Sequence, residues 1–203
     1  MYQPAHFREP DEARALALVE AHSFGLLVAV DDAGAPEMAH LPFLLDRDAR
    51  VLRTHVARAN PLAKLAAAGR PMTAVFSGPH GYVSPRFYPT PRAHVPTWNY
   101  AVVHVQGTAR TVDDVGLRAL VDDLAAHHEG DAPAPWRLAD ADPELPARLL
   151  RAIVGIELPL ARVEAKLKLS QNRSPEERAG VRQALAERGS LDDLAMLALM
   201  PRD

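Results

Sequence analysis

Cysteine is absent from the 203 residues. Disulfides, thiolate metal sites and cysteine nucleophiles are therefore excluded. No apolar run approaches the roughly 20 residues of a membrane-spanning helix. The opening segment, Met1-Tyr2-Gln3-Pro4-Ala5-His6-Phe7-Arg8-Glu9, has no basic stretch followed by an apolar one, so no leader peptide is expected and the cytoplasm is the default location. A basic surplus is missing too: 23 Lys and Arg stand against 26 Asp and Glu, a formal net charge of −3. DNA binding through phosphates calls for a basic surplus or a basic face, so only a local patch could provide it. Neither G-x-G-x-x-G nor a P-loop occurs, which disfavours the common nucleotide folds. The 9 histidines form no H-x-x-x-H pair, and no G-x-S-x-G is present. No catalytic set and no metal set is assigned on this basis. Repeats and low-complexity tracts are also lacking.

What is present reads as short strands joined by tight turns, with helices inserted. Ala13 to Ala21 is a helix with acids at its start. Phe24 to Val30, Met38 to Leu45, Val51 to Val56 and Met72 to Ser77 are strands, and Asn60-Pro61 caps a helix through Ala68. Prolines at positions 79, 85, 89, 91 and 96 predict a long ordered loop or short edge pieces over 79–97, with no central strand. Asn99 to Val112 is a strand with a bulge or bend at Gly107. A helix follows from Asp113 to about His128, then a polar loop from Glu129 to Glu144 and a short helix from Leu145 to Ala152. Ile153 to Leu169 holds two strands broken near Pro159. Ser174 and Ser190 open two closing helices, Pro175 to Arg188 and Leu191 to Met200. The pattern predicts an α+β fold with a mostly antiparallel sheet or barrel. One domain is expected over 1–203, with a helical appendage over 174–203.

Three segments carry chemistry. In Lys166-Leu167-Lys168-Leu169-Ser170 polar and apolar residues alternate, which puts Lys166, Lys168 and Ser170 on one strand face. Gln171, Asn172 and Arg173 follow at a strand-to-helix corner, an inventory suited to an anionic, hydrogen-bonding ligand. A solvated edge strand before a well-capped helix is the competing reading. Glu176 and Glu177 in the first turn would repel a phosphate there. The helix after Asn60 has no acid in its first turn, and Thr54, His55 and Arg58 lie just upstream. A phosphate at that start could meet Arg58, the Asn60 side chain and main-chain N–H groups; a plain N-cap is the alternative. Val95-Pro96-Thr97-Trp98-Asn99-Tyr100 sets two large aromatics beside a fixed turn. They suit a wall beside a planar ligand, a core plug or a subunit interface.

Jointly these segments resemble the PaiB-type family of FMN-binding transcriptional regulators. The matching pieces are Met1 to Phe7, His40-Leu41-Pro42-Phe43, Thr54 to Pro61, Val95 to Tyr100 with His104 and Gly107, and Lys168 to Arg173. The resemblance implies a Greek-key, antiparallel split β-barrel with peripheral helices and a C-terminal helix pair. It further implies a homodimer with FMN at its interface and a role as a negative transcriptional regulator. By that analogy the helix start near Arg58 and Asn60, with Thr54 and His55 upstream in the cofactor site, takes the phosphate and His40 runs beside the isoalloxazine. Trp98, Asn99, Lys168, Ser170, Gln171 and Asn172 close the site from the same or the other subunit. Where an aromatic pair and a lysine are expected, the chain has Ser84-Pro85-Arg86-Phe87-Tyr88-Pro89-Thr90-Pro91, with Phe87 in place of Trp. No convincing helix-turn-helix accompanies the resemblance, so direct DNA binding is not implied by the sequence. A flavin-dependent oxidoreductase of the pyridoxamine-phosphate-oxidase or flavin-reductase kind is the alternative function, and haem handling a third.

Overall fold

The computed structural model describes residues 1–142 and 144–201. Pro143 of the polar loop, and Arg202 and Asp203 of the expected appendage, lie outside the described residues. In chain order the elements are β1 (Arg8–Glu9), α1 (Glu12–Ala21), β2 (Phe24–Val30), β3 (Pro36–Pro42), β4 (Leu44–Asp46), β5 (Val51–Ala57), α2 (Pro61–Ala67), β6 (Pro71–Val83), β7 (Thr97–Thr108), β8 (Arg110–Thr111), α3 (Asp114–Glu129), α4 (Leu145–Leu150), β9 (Ile153–Pro159), β10 (Arg162–Lys168), α5 (Pro175–Arg188) and α6 (Leu191–Leu199). Short 3-10 turns occur at Ala5–Phe7, Pro85–Phe87, Pro91–Ala93 and Leu138–Asp140. The chain divides into two compact units. One comprises Met1–Ala21, Ser77–His104 and Glu164–Asp203; the other comprises His22–Phe76 and Val105–Val163.

In the second unit β2 pairs antiparallel with both β3 and β6, and a separate sheet runs β4-β5-β9-β8. The apolar run Phe24–Val30 forms β2 but is not buried on both faces as such a run suggests: Gly25, Leu27 and Ala29 face the core while Phe24 and Val30 remain exposed. Asp31 makes the turn to β3, its carboxylate accepting from the amides of Ala33 and Ala35, with Gly34 at φ 83°. Phe43 and Phe76 meet edge to face at 5.2 Å in the core beside Leu27, Leu52, Ile156 and Leu158. The site predicted for a bulge, Gly107, is a close approach. A Cβ there would fall 2.2 Å from the Pro159 carbonyl oxygen, a contact that only a hydrogen in that place relieves.

In the first unit the strand order is β1-β10-β7-β6, with Arg8 opposite Lys166 and Glu9 opposite Ala165. The structure corrects two expectations here. β6 runs on through Pro79 to Val83 instead of giving way to a loop. Its buried positions are even-numbered up to Phe76 and odd-numbered from Pro79 to Val83. That slip of one residue is what a bulge produces, and a bulge tolerates a residue with no N–H to donate. The second correction concerns β10, which ends at Lys168. Ser170 has left the strand, at φ 66°, and is buried, so it does not share the exposed face of Lys166 and Lys168.

Both closing helices begin with the expected capping boxes, Ser174 with Glu177 and Ser190 with Asp193. Asp193 does more than cap. It is almost fully buried, pairs with the Arg188 guanidinium through both oxygens, and accepts from the Ser190 hydroxyl at 2.7 Å. Arg188 also donates to the Tyr82 carbonyl at 3.0 Å. A Cβ on Gly81 would sit 2.5 Å from Met196 Cε, so β6 and α6 touch there. The Arg188 hydrogen bonds, then those of Ser190, hold the Asp193 carboxyl at about 2, below its ordinary 3.8. A depressed carboxyl contributes stability above its unfolded value near 4 and loses it as pH falls through the folded value. Asp193→Asn is therefore expected to lower unfolding stability at pH 7 by roughly 2–3 kcal/mol. In urea melts the gap between variant and parent should narrow from pH 4 towards pH 2; a pH-independent gap would contradict the assignment.

Candidate functional site

The residues singled out on sequence fall into two groups, one in each unit. In the second unit Thr54 points into the core from β5 and its Oγ1 donates to the Pro42 carbonyl at 2.7 Å. The residue ties β5 to the end of β3, and its hydroxyl proton is committed. His55, its neighbour in β5, is half-buried, and its Nδ1 is buried without a hydrogen-bond partner among the described residues. Burial pushes the imidazole below its usual 6.5, so the ring is neutral at pH 7. His40 lies on exposed β3 opposite Leu26, its ring stacked on Phe24 at 6.2 Å.

Arg58 is exposed, yet it donates Nε to the Arg151 carbonyl at 2.7 Å and Nη2 to the Ile153 carbonyl at 2.9 Å. Asn60 caps α2 by accepting from the Leu62 amide at 3.0 Å. The start of α2 is less open than the sequence implies. The amides of Arg58, Asn60, Leu62 and Ala63 are taken by Ala152 O, Ala57 O, Asn60 Oδ1 and Asn60 O, and Pro61 has none. A phosphate at this place would meet side-chain cations instead of a cradle of amides. Arg58 and Lys64 supply them, on the rim of a cavity of about 430 Å³ walled by Ala63, Leu117, Val154 and Gly155, with Asp114 as its acid.

In the first unit Trp98 is 53% exposed, while Asn99, one step along β7, is buried. The Asn99 amide donates to Ser170 Oγ at 3.0 Å. The two residues satisfy one another and join β7 to the corner after β10. Lys168 donates to Thr97 Oγ1 and to the Trp98 carbonyl at 2.8 Å, which fixes its ammonium beside the indole. Burial, then the charges of Lys166 and Arg173, lower its pKa. Gln171 spends its amide on its own chain: Nε2 donates to Leu167 O and Oε1 accepts from Leu169 N at 2.7 Å. It shapes the corner, and Asn172 beyond it is exposed.

Sequence reasoning passed over one further cluster. His94 Nε2 meets Glu177 Oε1 at 2.8 Å, and its ring stacks on Tyr88 at 4.1 Å, with the Arg173 guanidinium 5.2 Å from the Tyr88 centroid. These contacts pin the proline-rich segment to the start of α5. No periodicity signals them, because Tyr88 and His94 lie in an irregular proline-rich segment and Glu177 is more than eighty residues further along the chain. Among the described residues no group of three or more His, Asp or Glu is placed to hold a metal, and no helix is long and apolar enough to cross a membrane.

Comparison with known proteins places this geometry in a family. Residues 1–162 match the family model described as "Putative FMN-binding domain", and the chain belongs to that family. Among individual relatives, it is 29% identical to Protease synthase and sporulation protein PAI 2 of Bacillus subtilis, across 98% of this chain and 96% of that one. It is thus an FMN-binding, PaiB-like protein, and FMN is the cofactor its family defines. Two solved structures share the fold. The FAD and haem binding protein of Mycobacterium smegmatis has a TM-score of 0.62 at 19% identity, covering 79% of this chain and 73% of that one. Flavocytochrome Anf3 of Azotobacter vinelandii gives 0.61 at 20%, covering 79% and 69%. The antiparallel split barrel expected from the sequence is the fold.

The residues fit the cofactor in part. FMN asks for cations at its phosphate, hydrogen-bonding groups at the ring edge and a flat apolar wall. Arg58 and Lys64, the unpartnered His55 Nδ1, the fixed Lys168 ammonium and the exposed Trp98 ring answer those needs. Thr54, Asn99, Ser170 and Gln171 are engaged by the protein and serve as supports. A proton titration of the His55 ring by NMR is expected to give a midpoint below 6.5 in the cofactor-free protein; a midpoint at or above that value would remove the buried, neutral ring.

Proposed function

We propose that the protein works as a homodimer that holds FMN at its interface, and that it serves as a negative regulator of transcription through the flavin-loaded dimer. One observation carries the dimer. On β2 and β3 the register places Phe24, Leu26, Val28 and Val30 opposite Pro42, His40, Met38 and Pro36 on one face. Phe24 is 67% exposed, Met38 57% and Val30 49%. A contiguous apolar face of this kind on a folded chain suits burial against a second copy. His40, stacked on Phe24, lies on that same face, which is where the family analogy puts the isoalloxazine.

In this reading Arg58 and Lys64 bind the phosphate, His55 offers a neutral ring nitrogen, and Trp98 with Lys168 supplies a wall and a cation. His40 and Asn172 are further contacts, while Asn60, Thr54, Asn99, Ser170 and Gln171 hold the segments in place. When bound, FMN supplies the redox chemistry.

Two measurements test this reading. Purified protein should bind FMN saturably, seen as quenching of flavin fluorescence, and Arg58→Ala should weaken that binding about tenfold or more, the worth of a charge-assisted hydrogen bond. Met38→Asp should convert a dimer to a monomer in light scattering and lose FMN affinity in the same step. A Met38→Asp monomer that keeps full FMN affinity would separate the cofactor from the interface and overturn the arrangement.

A further inference from the structure

The first unit carries an exposed sheet face that the flavin reading leaves mostly unused. Alternation along β7 turns Trp98 and Tyr100 outward, and the even-numbered positions of β10 turn Lys166 and Lys168 to the same side. Arg8, paired with Lys166, extends that side onto β1. Tyr82 on β6 meets Trp98 edge to face, ring centroids 6.2 Å apart. The face is therefore divided. Arg8, Lys166 and Lys168 lie towards the β1 and β10 edge, Lys166 donating to the Tyr2 carbonyl at 3.2 Å with the Tyr2 ring 5.5 Å from its Nζ, and the rings of Tyr82, His80, Trp98 and Tyr100 lie towards β7 and β6.

The charge on this side is one-signed. The acid that shares it, Glu164, is buried and paired with the Met1 ammonium at 2.7 Å. Lys166 reaches over the Tyr100 ring, its Nζ 5.5 Å from the centroid. Strands about 4.8 Å apart make a four-stranded face roughly 15 Å wide. That is broader than one flavin ring needs, and it matches a row of bases with a phosphate backbone beside it.

We infer that this face of the FMN-free protein binds single-stranded nucleic acid, the backbone along Arg8, Lys166 and Lys168 and the bases stacked on Tyr82, Trp98 and Tyr100, so that strand and FMN compete for Trp98 and Lys168. Exposed aromatics on a sheet can stack only unpaired bases, while a duplex hides its base faces and offers phosphates alone. The local basic strip serves this purpose in a chain whose overall charge is −3.

The test uses fluorescein-labelled dT12 and rU12 strands and a 12-base-pair duplex, followed by anisotropy with the full chain. Saturable binding to at least one strand is expected at 50 mM salt. Three phosphate contacts at about 0.7 ion each give a log–log salt slope near −2. Duplex should bind at least tenfold more weakly. Tyr82→Ala should weaken the strand complex at least about fivefold, the lower end for one stacked base. The double change Arg8→Glu, Lys166→Glu should remove binding at 100 mM salt. The tighter of the two strands assigns the sugar. No saturable binding to either strand, equal binding to duplex, or a folded Tyr82→Ala protein with unchanged affinity each overturns the inference. Tyr82, Arg8 and Lys166 lie outside the proposed flavin set, so FMN titration of the same variants keeps failure of the two readings apart.

Discussion

Ser170 sits at φ 66°, a conformation that costs a residue with a Cβ about 1 kcal/mol, and the hydrogen bonds around it over-determine the turn. Gln171 bridges the Leu167 carbonyl and the Leu169 amide, Asn99 donates to the Ser170 hydroxyl, and the Arg173 amide donates to the Ser170 carbonyl. The corner fixes where β10 stops and α5 begins. Lys168, the last strand residue, is thereby held against Thr97 and the Trp98 carbonyl. Glu177, three residues into α5, is at once cap for Ser174 and partner for His94. A loosened corner would free the lysine, the cap and the proline-rich segment together.

Committed and exposed polar side chains separate cleanly around that corner and around α2. Side chains of similar polarity divide by burial. Thr54, Asn99 and Ser170 are buried and committed to protein partners, as desolvated polar groups must be. Trp98, Asn172 and His40 remain exposed. Arg58 takes an intermediate position: its guanidinium braces the carbonyls of Arg151 and Ile153 and still lines the cavity with Lys64. Bracing orients the cation before any ligand arrives, which reduces the ordering cost of binding.

Much of the fold was legible in the chain. The strands over Phe24–Val30 and Val51–Val56, the Asn60-Pro61 start, and the Ser174 and Ser190 capping boxes all report local rules, and the structure follows them, although the apolar run Phe24–Val30 buries one face only. The strand through Pro79 was not legible, because proline statistics argue against a paired interior position, and the one-residue slip in burial alternation that accompanies it shows only in the folded chain. Gly107 gave a signal whose cause was hidden: the neighbour that forbids a side chain, Pro159 O, is more than fifty residues away in sequence. The candidate site shows the same division. Motifs pointed to segments, but could not say that the Asn60 region spends its amides internally or that Gln171 closes on its own strand.

By itself the sequence determined which residues are present, the local elements that propensity and capping dictate, and the family to which their ordered motifs belong. Those properties depend on neighbours a few positions apart. Tertiary structure decided which polar groups are free. Whether a hydroxyl, amide or guanidinium can meet a ligand depends on the partners that burial forces on it, and those partners come from distant parts of the chain. It also decided that Arg8, Tyr82, Trp98, Tyr100, Lys166 and Lys168 share one side of a sheet. Strand pairing, which no short stretch of sequence encodes, brings them there.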